Sequence, residues 1–201
     1  AEALARMRAE EWRDDFSFLP ARPERTLEGY LFPDTYRFLP ETSADDIAAK
    51  LLTTFERRVL TREIQSALAA SGRTLDEAVI MASLLEREVR SDEDQQLVAG
   101  VLWKRLDAGV PLQVDATVAY LTGKKTTALT VDDLAIESPY NTYRTIGLPV
   151  GPINNPGTRS IQNALNPKSS DYWFYLSKPD GSTVFSRTRQ EHEAAVEQFL
   201  R

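Results

Sequence analysis

The sequence has no cysteine and one histidine. Without thiols there is no disulfide, no thiolate metal site and no cysteine nucleophile. A single imidazole cannot build a multi-histidine metal centre, and a serine triad would have to recruit His192. A basic excess is missing too. The formal charge is −6 with no lysine- or arginine-rich block, which argues against a nucleic-acid partner. No apolar run approaches the roughly 18–20 residues that a membrane-crossing helix needs. The chain opens Ala-Glu-Ala-Leu, without an initiator Met or a leader, and so reads as a piece of a longer protein whose anchor or targeting segment would lie upstream. Chemistry is left to carboxylates, hydroxyls, amides and basic groups, and no metal or other cofactor is expected.

What is present is globular. The chain is 42% hydrophobic and 27% charged, which places it outside the disordered class. At 201 residues it can bury roughly 70% of its unfolded surface, enough for one domain with a small appendage.

Residues 1–18 are charged and helix-prone, and Pro20 and Pro23 then break the pattern. This stretch, to about residue 25, reads as the end of an upstream module plus a linker. Leu27–Phe38 (LEGYLFPDTYRF) is aromatic, with Gly29 and Pro33, and fits short extended pieces around a turn. From Ser43 the period becomes helical, and three helices are predicted between residues 43 and 109. The first runs to Gly72 with room for a break near Leu60, the second from the Thr74/Glu77 capping box to about Arg90, and the third from Ser91 to Gly109. Pro111–Leu121 alternates like a strand at first and can turn helical after Asp115. Ser138–Gly157 carries four Pro and three Gly and predicts a long ordered loop. Its glycines lack the Lys-Ser/Thr ending of a phosphate-binding loop. A short helix at 158–165, a hairpin near 172–186 around Asp180-Gly181 and a C-terminal helix complete an α+β class with a helical core.

Three clusters could carry chemistry. Ala78–Leu85 (AVIMASLL) is apolar almost all round, so its helix should be buried. At 100° per residue, Glu86 falls beside Leu75, Val79, Ala82 and Val89, a carboxylate interrupting an apolar stripe. A buried carboxyl holds its proton more tightly, as a general acid near neutral pH must. Glu88 lies far round the helix from Glu86, beside Glu77. The bland alternative is a partly buried ion pair between Glu86 and Arg90, four residues on. Gln113, Asp115 and Thr117, spaced at two, share a face if extended and offer amide, carboxylate and hydroxyl to a polyhydroxylated ligand, or form a solvated edge. Tyr140, Asn141, Thr142 and Tyr143 pair rings with amide and hydroxyl groups, which suits sugar recognition as well as plain packing. His192 reads as a half-exposed helical residue.

Taken in order, LEGYLFPDTYRF, MASLLERE, GVPLQVDATVAY, SPYNTYRTIGLPVGPINNPG, SIQNALNP and FSRTRQEHEAAV resemble the YceG-like family of endolytic murein transglycosylases (MltG) over residues 27–200. Val150, Glu193 and Lys104 depart from the residues usual in that family. The resemblance implies a catalytic domain at 26–201 that cuts peptidoglycan glycan strands internally, using one Glu and no cofactor. The cut falls on the MurNAc–GlcNAc bond and leaves 1,6-anhydroMurNAc ends. The first Glu of the Ala-Ser-x-x-Glu-x-Glu motif, Glu86, would be catalytic, with Glu88 and His192 supporting. Gln113, Asp115, Thr117 and Tyr140–Tyr143 would line the sugar groove. The resemblance further implies that residues 1–25 end a LysM-like module, that an N-terminal helix absent from this chain anchors the protein in the plasma membrane, and that the domain works on the periplasmic side on nascent strands beside penicillin-binding synthases. Two rivals stand beside it: a glycoside hydrolase pairing Glu86 with Asp115, and a non-catalytic wall-binding module.

Overall fold

A computed structural model describes residues 4, 6–89, 91–178 and 180–200. The chain divides into two compact units, Ala1–Ser83 with Gly151–Leu165 and Leu84–Val150 with Asn166–Arg201. The class is α+β, as the sequence predicts. Between residues 43 and 109, however, four helices stand where three are expected: α1 (Ala44–Val59), α2 (Arg62–Ser71), α3 (Leu75–Glu88) and α4 (Asp92–Asp107). Leu60 leaves helical backbone at ψ 40°, and Thr61 opens a new helix by accepting the Ile64 amide on its hydroxyl. Gly72 closes α2 with φ 67°, and Thr74 and Glu77 cap α3 reciprocally, at 2.8 and 3.2 Å. No helix among the described residues is long and apolar enough to cross a membrane.

In the first unit the opening stretch is not the helix its composition favours. A short 3-10 helix at Ala9–Trp12 is followed by turns. The stretch is tied to its neighbours by an antiparallel bridge between Arg8 and Thr26 and by amide bonds from Ala9 to Arg25 and from Leu27 to Met7. Leu4, Phe16 and Leu19 are buried, and Phe18 stacks on Phe55 at 5.3 Å. Residues 78–85 of α3 are all buried. The Asn-Asn-Pro-Gly segment works as a fastener. The Asn155 side-chain oxygen accepts the Gly29 and Leu31 amides at 2.7 and 3.1 Å, and Asn154 donates to the Ser83 carbonyl at 2.7 Å. Helix α7 (Thr158–Leu165) packs on α2 and α1.

The second unit holds α4, α5 (Asp115–Thr122), α6 (Val131–Leu134), an antiparallel ribbon of β1 (Phe174–Ser177) and β2 (Thr183–Ser186), and α8 (Arg189–Leu200). The ribbon runs in register from Phe174 opposite Ser186 to Ser177 opposite Thr183. Its turn is closed by the Gly181 amide on the Lys178 carbonyl; Pro179, within the predicted turn, lies outside the described residues. A two-stranded ribbon is marginal alone. Here α8 packs on both strands, His192 stacks on Phe174 at 5.3 Å, and the Lys178 ammonium sits over the Phe199 ring at 4.9 Å.

Candidate active site

The residues of the second unit enclose a cleft of about 780 Å³, a size suited to a small ligand or a few sugar rings. Of the two glutamates at the end of α3, Glu88 lines it and Glu86 does not. Glu86 is exposed and does not line the cleft, which corrects the expectation of a buried carboxyl at that position. The physical reason lies in the helix itself. Residues 78–85 are buried on every side, so no single apolar stripe marks the inner face, and the packing ends one turn before the helix does. Glu86 emerges into solvent, Arg87 is exposed at the border of the cleft, and Glu88, the last residue of α3, turns into it. Arg90, the partner of the alternative ion pair, lies outside the described residues.

Groups from distant parts of the sequence converge on Glu88. The Tyr175 hydroxyl of β1 donates to its carboxylate at 3.2 Å, as does the Ala116 amide in the first turn of α5. The Ser177 hydroxyl donates to its main-chain carbonyl at 3.1 Å, satisfying one of the carbonyls that a helix end leaves open. Burial, followed by the negative charge of Asp115, pushes the Glu88 pKa up from 4.5 to about 7, against the pull of Tyr175, the Ala116 amide and Arg87. Asp115 accepts the Tyr143 hydroxyl. Burial and the adjacent carboxylates raise the pKa of both phenols, with Asp115 acting on Tyr143 and Glu88 on Tyr175. Both therefore serve as donors rather than bases.

Of the residues expected to line a groove, Gln113, Asp115 and Tyr143 do so, and His192, expected only in support, lines it as well. Thr117, Tyr140, Asn141 and Thr142 do not. The first segment is not an extended strand: α5 begins at Asp115, which turns Thr117 inward, where it is fully buried. Thr117 and Thr142 share a buried hydroxyl contact at 3.1 Å, and Thr142 also accepts the Val114 amide at 2.9 Å. Asn141 donates to the Leu134 and Ile136 carbonyls at 3.0 and 2.8 Å, and Tyr140 packs against Tyr120 at 5.0 Å. These side chains hold the loop that presents Tyr143. Gln113 stands at φ 54°, a conformation rare outside glycine, and is held there by its amide on the Thr142 carbonyl at 3.0 Å. His192 has its pKa lowered, by burial first and then by Arg105.

The sequence reading missed Arg105, Phe174 and Tyr175. Arg105 is buried in α4, donates to the Pro111 carbonyl at 3.0 Å and to the Gln113 side-chain oxygen at 2.6 Å, and lies over the Phe174 ring. The two aromatics sit on a strand predicted as a strand, but nothing local says which face meets a cleft.

Comparison with known proteins agrees with the sequence resemblance. Residues 1–198 match the YceG-like family. The chain belongs to the YceG-like family. It is 40% identical over 175 residues to an endolytic murein transglycosylase of Bacillus subtilis, covering 87% of this chain and 48% of that protein. It is 31% identical over 180 residues to the protein of the same name from Streptococcus pneumoniae, covering 87% and 32%. It thus spans about half or less of the curated relatives it matches. A crystal structure of a YceG-like protein from Listeria monocytogenes superposes with a TM-score of 0.84 at 31% identity, covering 93% of this chain and 63% of that one. For this YceG-like chain, the α+β fold read from the sequence agrees with that of the Listeria relative.

Proposed function

We propose that this chain cleaves the glycan strands of peptidoglycan as an endolytic lytic transglycosylase, with Glu88 as the one group that gives and then takes the proton. The observation that carries this reading is a half-buried carboxyl with a pKa of about 7 in a sugar-sized cleft, in a chain whose relatives are named for that activity. Near neutral pH such a group is present in both forms, as a combined acid and base requires. In its acid form Glu88 protonates the oxygen bridging MurNAc to GlcNAc, and the bond to the MurNAc anomeric carbon breaks. The 6-hydroxyl of the same MurNAc attacks the oxocarbenium-like carbon and gives its proton to the Glu88 carboxylate. No water is consumed, and the new end is 1,6-anhydroMurNAc. An internal nucleophile needs no second carboxylate to activate it. Asp115, Tyr143 and Gln113 contact the sugars beside it in this proposal. The family resemblance supports the remaining parts of the proposal: work on the outer side of the plasma membrane, held by an upstream anchor beside penicillin-binding synthases, with residues 1–25 closing a LysM-like module.

Mass analysis of a digest of purified sacculi tests the reaction. Anhydro ends, one water lighter than reducing ends, are expected. A second reading has one observation in its favour: Asp115 lies near enough to Glu88 to raise its pKa and could activate a water. It predicts reducing ends alone.

The pH profile follows from the same charges. Loss of the Glu88 proton removes the acid, so kcat/KM should fall as pH rises through about 7. Asp115→Asn removes the neighbouring negative charge that disfavours the Glu88 carboxylate. The fall should then move to lower pH, as a pH titration of cleavage rates would record. An unmoved profile would show that Asp115 does not set the proton affinity of Glu88.

A further inference from the structure

Arg105 is 6% exposed and yet borders the cleft. A guanidinium carries five N–H donors. One is taken by the Pro111 carbonyl at 3.0 Å and one by the Gln113 side-chain oxygen at 2.6 Å, and neither acceptor is charged. Among the described residues Arg105 forms no ion pair, although three carboxylates, Glu88, Asp115 and Glu193, border the same cleft. The Glu88 carboxylate is taken by Tyr175 and the Ala116 amide, that of Asp115 by Tyr143, and that of Glu193 by Arg189 at 2.8 Å. Arg105 lines the cleft, and none of its atoms is among the buried polar atoms that lack a partner. The Phe174 face, 5.6 Å away, supplies only part of the missing counter-charge. A charge taken out of water without a counter-charge is costly to the folded chain, and a ligand that brings the counter-charge recovers that cost.

We propose that Arg105 reads the muramyl sugar: its cleft-facing N–H groups take the carboxyl oxygens of the lactyl ether, the one substituent that separates N-acetylmuramic acid from N-acetylglucosamine. This rests on the peptidoglycan reading above. The acetamido group is common to both sugars and neutral, so it would neither discriminate nor supply charge. The lactyl group offers a carboxylate where the strand is free of peptide and an amide carbonyl where a peptide is attached. The planar fork of a guanidinium suits both, and binds the carboxylate more strongly.

The test is equilibrium binding in a Glu88→Gln background, which prevents turnover, to four strands of matched length. These are peptide-free glycan, peptide-bearing glycan, peptide-free glycan with its lactyl carboxyls reduced to alcohols, and a chitooligosaccharide. The reduced strand and the chitooligosaccharide should bind about 10–100-fold more weakly than the peptide-free glycan, the worth of a charge-assisted hydrogen bond, with the peptide-bearing strand between. Adding Arg105→Lys should bring the peptide-free strand close to the reduced one while leaving the reduced one where it was. A merely structural role would weaken every strand alike, and the comparison among strands stands even where the lysine variant fails to fold. Equal affinity for native and reduced strands, with cleavage intact in the Glu88 protein, would overturn the muramyl assignment and leave glycan cleavage standing. Absence of both binding and cleavage for every strand would overturn the two together.

Discussion

Glu88→Gln is expected to cut glycan cleavage by about 10²–10⁴-fold or more, because one group serves both proton transfers. Glu86→Gln, an exchange on the exposed side of the same helix, should leave the rate largely intact. Release of anhydro ends from sacculi measures both. A Glu86 variant that fails and a Glu88 variant that works would reverse the assignment. The same substitution should also change stability, in the opposite sense. The folded chain holds the Glu88 proton more tightly than the ordinary value of 4.5 would, at about 7. Its contribution to stability is therefore fully present below about 4.5 and is lost as pH rises through 7. Glutamine bears no charge at any pH. At pH 8 the variant should gain on the order of 1–3 kcal/mol relative to the parent, and the difference should shrink toward pH 5. Thermal melts at the two pH values would show it. Inactivation together with a higher melting temperature is the signature of a residue kept for chemistry at a cost to the fold.

Gly29→Ala is expected to cost the fold heavily. Gly29 stands at φ 95°, where a side chain is strained, and a Cβ there would come within 2.3 Å of Cγ and 2.8 Å of Cβ of Pro152. The proline ring cannot swing aside as a long chain could. Strain and overlap together should cost about 3 kcal/mol or more, read as a lower midpoint in urea. Asn155→Ala approaches the same fastening from the other side, by taking the acceptor from the Gly29 and Leu31 amides. It should cost about 1–3 kcal/mol. A Gly29→Ala chain as stable as the parent would mean that the two segments are not closely packed.

The elements with strong local signals were legible in the sequence. Ser43, Thr74, Ser91 and Thr188 each accept the amide three residues on, as their spacing predicts. The hairpin and the helix at 158–165 also lie where turn residues and periodicity put them. The site was legible only by residue type. A Glu in the Glu-Arg-Glu triplet, an Asp at residue 115 and a Tyr at residue 143 were all in view, but which Glu faces inward depends on what packs around the helix end. That is decided by Tyr175, Ser177 and Ala116, up to 89 positions away in sequence. Periodicity reports a stripe only where one exists, and residues 78–85 of α3 are buried on every side. Asn141 and Thr142 show the converse. Polar residues in a loop rich in amides and rings read as ligand contacts, yet their hydrogen bonds go to the backbone and to each other's neighbours.

Among the described residues the ribbon that carries Tyr175 has no wider sheet to lean on, and its persistence is lent by the C-terminal helix through contacts such as Phe174 on His192. Strands and helix should therefore breathe together, their amides exchanging with solvent deuterium as one cooperative group. When that group opens, the Glu88 carboxyl loses its phenol and the cleft loses the side built by Trp173, Phe174 and Tyr175 at one stroke.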